Sequence, residues 1–163
     1  MTSPETPSTP RVGVGAAIRD PATGKLLVGQ RLSSHGNGTW QFPGGHLEHG
    51  EAIFACAERE TLEETGLAVR ATRLAAVTNC VFSDVGKHYI TLFVLCEPVD
   101  PEAKPQAMEP EKAANWQWME WSTICEWAAH HDDDGDDWPA KRLFLPIREL
   151  VSGKEHETCF GGF

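Results

Sequence analysis

From Arg11 onward the chain alternates short apolar runs with breaks rich in glycine, proline, serine and aspartate. Five runs have the length and residue types of β-strands: Val12 to Ile18, Lys25 to Arg31, Leu74 to Phe82, His88 to Cys96 and Trp116 to Trp121. One segment follows a different period. Between Ala52 and Thr65 the apolar positions Ile53, Cys56 and Ala57 recur at three-to-four spacing, which predicts a helix. Acidic Glu51 stands at its start and Gly66 falls where a left-handed stop belongs. Further helices are predicted after Ser122 and near Pro146. Strands interspersed with helices predict a mixed α/β domain. Trp116, Trp118 and Trp121 are assigned to one buried strand face.

The ends of this pattern are polar. Met1 to Pro10 carries three prolines and no apolar period, so residues 1–10 are predicted to be a mobile tail ahead of a single domain over 11–163. Residues 131–138 hold five aspartates, a like-charge block expected to loop into solvent.

The net charge of −10 has the wrong sign for holding duplex nucleic acid by phosphate neutralisation, so stable nucleic-acid binding is not expected. A polyanionic ligand remains compatible when a divalent cation stands between its phosphates and the protein's carboxylates. The cysteines at 56, 80, 96, 125 and 159 form no C-x-x-C pair, which predicts free thiols in a reducing compartment. Met1 to Pro10 has no signal-peptide pattern and the longest apolar run, Leu92 to Cys96, is too short to span a bilayer. A cytoplasmic, membrane-free protein is expected.

The candidate chemistry lies on the helix. Glu60, Glu63 and Glu64 stand at i, i+3 and i+4 and so share a face, the same face that carries Ile53, Cys56 and Ala57. Carboxylates on an inward face repel one another and are costly to desolvate unless a cation neutralises them. Oxygen-only ligands suit Mg²⁺ or Mn²⁺ better than zinc. The Gly44-Gly45 step, read as a turn, lets backbone approach closely and offers a carbonyl as a further ligand.

These residues spell G-x5-E-x7-R-E-U-x-E-E-x-G-U, with U apolar, through Gly45, Glu51, Arg59, Glu60, Glu63, Glu64, Gly66 and Leu67. The pattern resembles the Nudix box. Thr61 occupies an apolar position of it, where its hydroxyl is expected to bond the preceding turn. The resemblance extends over most of Arg11 to Trp121 and is closest to the small MutT-type eukaryotic nucleotide triphosphate diphosphatases. It implies a Nudix α/β/α sandwich with a mixed central sheet, hydrolysing a nucleoside triphosphate to the monophosphate and pyrophosphate with Mg²⁺. Carried across, Glu60, Glu64 and the Gly45 carbonyl look like metal ligands, with Glu63 as further ligand or base. Glu111 is the second candidate base, and Glu51 and Arg59 orient the set. The relatives' dimers imply a homodimer here, with Trp127, Trp138 and Phe160 as candidate contacts.

For the substrate, Arg31 is a candidate phosphate ligand, Gln41 a base reader and His46 a hydrogen-bond donor to phosphate, while Phe42, Thr91 and Phe144 are candidates to line a base pocket. Phe144-Leu145-Pro146 replaces an aromatic pair that the resemblance leads one to expect there. Two other readings share the box: cleavage of a dinucleotide, nucleotide sugar or prenyl diphosphate, and a nucleotide sensor without catalysis. The full set of glutamates argues against the sensor.

Overall fold

The computed structural model describes residues 9–135 and 137–153. In chain order these form β1 (Arg11–Ile18), β2 (Leu26–Arg31), β3 (Trp40–Gln41), β4 (Gly44–His46), α1 (Ile53–Thr65), β5 (Val69–Phe82), β6 (Lys87–Pro98), β7 (Ala113–Met119), α2 (Trp121–Ala129) and α3 (Leu145–Ser152). A single 3-10 turn, Trp138–Lys141, precedes α3. One sheet has the order β4-β1-β6-β5, with β1 and β6 parallel and the outer pairs antiparallel. A smaller antiparallel sheet has the order β3-β2-β7.

The parallel pair β1 and β6 is the centre of the main sheet, and its near-continuous apolar runs reflect burial on both faces. Because side chains alternate along a strand, Val14, Ala16, Ile18, Val94 and Cys96 pack with Cys56 and Ala57 of α1. Ala17, Phe93 and Leu95 point to the opposite face and pack with Ile124 of α2 and Ile147 and Leu150 of α3. Sheet between helices is the expected α/β/α sandwich, and the mixed sheet is as expected.

The alternation also makes a hollow. β1 sends Gly13 and Gly15 to the α3 side, opposite Thr91 and Phe93 of β6, so the sheet carries no β1 side chain there. A Cβ on Gly15 would lie 2.9 Å from the Phe93 ring and one on Gly13 3.5 Å from Thr91 Oγ1.

Several expectations are corrected. Trp121 begins α2 instead of ending a strand, and its odd position never shared a face with Trp116 and Trp118. Those two pack on the α1 side, whereas Trp121 packs against the core under α2 and α3. Gly44-Gly45 is not a turn but part of β4, paired with β1. β5 starts at Val69, well before Leu74, because bulges at Ala71/Arg73 and Leu74/Ala76 break its alternation. Trp127 is no free surface aromatic: it is half-buried and meets Trp40 edge-on at 5.5 Å. Trp138 stacks on His130 at 4.1 Å. The acidic block is exposed but tethered, Asp133 to His130 and Asp134 to Arg142, each at 2.7 Å.

Of the tail predicted over residues 1–10, residues 1–8 lie outside the described residues, as do Asp136, Cys159 and Phe160. Cys56, Cys80, Cys96 and Cys125 are free thiols. Among the described residues no helix is long and apolar enough to cross a membrane.

Candidate active site

Helix α1 presents its buried side through Cys56, Ala57, Thr61, Glu64 and Thr65. Thr61 is fully buried and its hydroxyl donates to the Ala57 carbonyl at 2.7 Å, as expected for a threonine in an apolar position. Gly66, with φ of 71°, ends the helix and donates its N–H to Leu62. The two glutamates on the inner edge of this helix meet β4. Glu64 is 7% exposed, and its Oε2 accepts the Gly44 N–H at 3.0 Å. The Glu60 carboxylate lies flat against Gly45, where a Cβ would come within 2.3 Å of its Oε1. Only glycine at 45 leaves that carboxylate its place.

Gly44 is equally constrained by backbone, since a Cβ there would stand 2.2 Å from the Val14 carbonyl oxygen. Gly44→Ala is therefore expected to lower stability by about 3 kcal/mol, read from urea unfolding of purified protein. An unchanged midpoint would show that β4 does not need this close approach.

The electrostatics follow from the packing. Burial pushes the Glu64 carboxyl up to about 8, helped by the nearby charges of Glu60 and Glu109 and opposed by the Gly44 N–H and Arg31. Burial likewise raises Glu60 against the pull of Arg59. Arg59 is the hub of the outer edge. Its Nε and Nη2 donate to Glu51 at 2.7 and 3.0 Å, and its Nη1 donates to Glu60 at 2.7 Å and to Glu63 at 3.2 Å. The Arg59 fork holds the Glu51 carboxyl down to about 2, with the Glu48 N–H adding to the effect.

Two sequence expectations change here. Glu63 does not share the inward face: its side chain is 52% exposed and turned to Arg59. Consequently Glu60, Glu63 and Glu64 do not converge on one point, and among the described residues no three acidic, histidine or cysteine side chains gather closely enough to hold one ion. Arg59 is the cause, since it draws Glu60 and Glu63 to itself. Glu111 is exposed, whereas Glu109 is half-buried and close enough to raise both Glu60 and Glu64. The loop bearing Glu109 is pinned to the end of α1, with Gln106 and Met108 N–H groups donating to the Thr65 and Glu64 carbonyls at 2.9 and 3.1 Å. Sequence spacing could not separate Glu109 from Glu111. The difference arises from this docking.

On the other side of β4 lies a cavity of about 140 Å³ over the Gly13 and Gly15 hollow. All six candidate substrate residues, Arg31, Gln41, Phe42, His46, Thr91 and Phe144, line it. Phe42 also packs edge-on with Phe93 at 6.0 Å, so it is wall and core together. Phe144 has an aromatic partner from elsewhere in the chain: it stacks on Phe82, the last residue of β5, at 5.5 Å and 26°. His46 Nε2 and the Tyr89 hydroxyl are hydrogen-bonded at 2.9 Å on the rim. Tyr89 and His35 also line the cavity and were missed. Tyr89 could have been found, standing two residues before Thr91 on the same strand face.

Arg31 is neither a solvated strand end nor turned outward. Its guanidinium donates to Gln41 Oε1, to Ser33 Oγ at 2.9 Å and to the His35 carbonyl at 3.0 Å, and lies 4.1 Å from the centre of the Phe144 ring. Burial pushes its pKa down.

The mixed sandwich that sets a glutamate-lined helix against a glycine strand is a fold that known proteins share. The NUDIX domain model matches residues 9–144, and the chain belongs to the Nudix family. It is 34% identical over 116 residues to Nudix hydrolase 6 of Arabidopsis thaliana, covering 68% of this chain and 40% of that one. It is 38% identical over 64 residues to the oxidized purine nucleoside triphosphate hydrolase of Danio rerio, covering 39% of this chain and 40% of that one. Among solved structures, the MutT NUDIX hydrolase of Burkholderia pseudomallei superposes with a TM-score of 0.67 at 24% identity, over 89% of this chain and 98% of that chain, which shows the common fold. The chain spans only about two fifths of the length of the plant relatives it matches.

Proposed function

We propose that this protein is a Mg²⁺-dependent hydrolase that cleaves a nucleoside triphosphate to the monophosphate and pyrophosphate. The observation that carries the reading is the double role of β4. Gly44 and Gly45 border the aromatic pocket and also meet the carboxylates of Glu64 and Glu60. A nucleotide with its base among Phe42, Phe82 and Phe144 therefore leads its phosphates past those carboxylates. The name of the zebrafish relative supports a triphosphate substrate, and modified purine nucleotides of the cellular pool are natural candidates.

The donor set fits a hard divalent cation: two carboxylates whose pKa values are raised by burial and by neighbouring negative charge, an adjacent glycine backbone, and Glu109 close by. Glu60, Glu64 and the Gly45 carbonyl would hold it. Such an ion supplies neutralisation of phosphate charge and a water more easily deprotonated at neutral pH. The chain's own residues do the rest. Arg59, fixed by Glu51, orients Glu60 and Glu63, His46 with Tyr89 borders the phosphate path, and Glu63 or Glu109 takes the proton from the attacking water.

A panel of ordinary, methylated and oxidised dNTPs assayed with Mg²⁺ tests this. Monophosphate and pyrophosphate are the expected products, and release of γ-orthophosphate rejects the reaction. Geranyl diphosphate serves as the control for other diphosphates: a higher efficiency with it than with every nucleotide would reverse the assignment, because a prenyl chain needs an apolar tunnel. Glu109→Gln should lower kcat by about 100-fold while Glu111→Gln stays near wild type. The reverse order would restore Glu111. A cytoplasmic homodimer is the expected assembly, and light scattering showing one chain mass at micromolar concentration would remove the dimer.

A further inference from the structure

The inner end of the pocket is unusual in its balance of donors and acceptors. Arg31 has five N–H groups and no acceptor, so its bond to Gln41 fixes the amide carbonyl toward the guanidinium and leaves the Gln41 NH₂ as the group available to a ligand. Among the described residues the guanidinium makes hydrogen bonds only to neutral partners: Gln41, Ser33 and the His35 carbonyl. Among the described residues no carboxylate stands within ion-pair distance of it. Among the described residues no aspartate or glutamate lines the cavity. His35 Nε2 is buried without a hydrogen-bond partner, its ring edge-on to Phe82 at 4.4 Å and to Phe144 at 5.5 Å. The turn beside His35 needs glycine, since Gly36 holds φ of 72° and a Cβ there would press on Phe144 at 2.8 Å.

An adenine edge offers an amino group, and a guanine edge offers an amino group and a ring N–H. Each amino group asks the protein for an acceptor, while guanine O6 and N7 accept as the same atoms of hypoxanthine and xanthine do, so the amino group is what separates the bases here. Hypoxanthine replaces the amino group with a carbonyl. Xanthine has two carbonyls and ionises most readily of the four, which places an anionic ring beside the Arg31 guanidinium, whose carboxylate neighbour Glu64 acts on it from beyond ion-pair distance. A half-buried cation with no carboxylate in contact gains from a ligand that brings negative charge against it.

We propose that the pocket selects nucleotides whose base presents acceptors in place of amino groups, with xanthine nucleotides preferred, through Arg31 and the NH₂ of Gln41. The substrate class is then the deaminated purine nucleotides. The reaction that supplies them is hydrolytic deamination, in which water replaces the amino group of a purine and ammonia leaves. This rests on the nucleotide reading above and narrows it.

Binding of the four nucleoside 5′-monophosphates XMP, IMP, GMP and AMP to the full chain, by titration calorimetry with Mg²⁺ present, tests the proposal without relying on turnover. XMP should bind tightest, IMP next, and AMP at least about tenfold more weakly than XMP. In Arg31→Gln the XMP advantage over IMP should vanish, and in Arg31→Lys, which keeps the charge, XMP should remain ahead. Equal binding of AMP and XMP, or an XMP preference that survives Arg31→Gln, overturns the proposal and leaves the nucleotide reading intact. If none of the four binds, the nucleotide reading falls with it. Should Arg31→Gln not fold, the wild-type ranking alone decides.

Discussion

Glu64→Gln should reduce the hydrolysis rate by several orders of magnitude while leaving the metal-free protein as stable as wild type or more so. The substitution keeps the acceptor for the Gly44 N–H at 3.0 Å and removes a charge that burial and the neighbouring Glu60 and Glu109 disfavour. Activity and stability thus move in opposite directions. A solvated glutamate would instead give about ±0.5 kcal/mol in stability and near-normal turnover. Added Mg²⁺ should raise the thermal midpoint of wild type more than that of the variant, because a ligand of the folded state stabilises by mass action. Equal shifts in both proteins with retained turnover would take Glu64 out of the metal site.

The second large effect is in the pH dependence of the metal-free protein. Glu64 has its carboxyl raised from 4.5 to about 8 in the folded state, so the folded state holds that proton more tightly than the unfolded chain. The associated stability is fully present below pH 4.5 and is lost as pH rises to about 8, by at most about 5 kcal/mol. Glu60 is shifted in the same direction and steepens the fall. Glu51 has the opposite sign: held down to about 2 by Arg59, it contributes stability above pH 4.5 that disappears as pH falls toward 2. Urea midpoints across this range should therefore be highest at mildly acidic pH and decline toward pH 8. Glu64→Gln should flatten the alkaline limb and leave the acid limb unchanged. An alkaline limb identical in both proteins would show that Glu64 titrates as an exposed carboxylate.

Much of this was legible along the chain, for reasons that differ by element. The strands β1, β2 and β6 and the helix α1 announce themselves because their burial is one-sided or continuous and their periods are uninterrupted. The box residues were legible because their chemistry is local: Glu60 and Glu64 lie one turn apart on a single helix, and Gly45 must be glycine to admit a carboxylate. β3 and β4 were not, since two or three residues carry no period. Glu63 was misplaced because helical spacing alone puts i and i+3 on one face, whereas exposure at the rim and the pull of Arg59 turned it out. Phe82 as the partner of Phe144 was invisible, because 62 positions separate them and only the fold closes that distance.

By itself, then, the sequence determined the helix with its glutamates, the α/β class and the residue types that the helix edge and the pocket lining would carry, because each depends on residue type and short spacing. Tertiary structure decided which of them act together. β4 joined the carboxylates to the pocket, the docked loop brought the charge of Glu109 close to Glu60 and Glu64 and left Glu111 exposed, and the meeting of β2, β3 and the segment before α3 placed the Arg31 charge between Gln41 and Phe144. Those outcomes depend on burial and long-range neighbours, which shift a pKa or orient an amide through the environment that distant parts of the chain create.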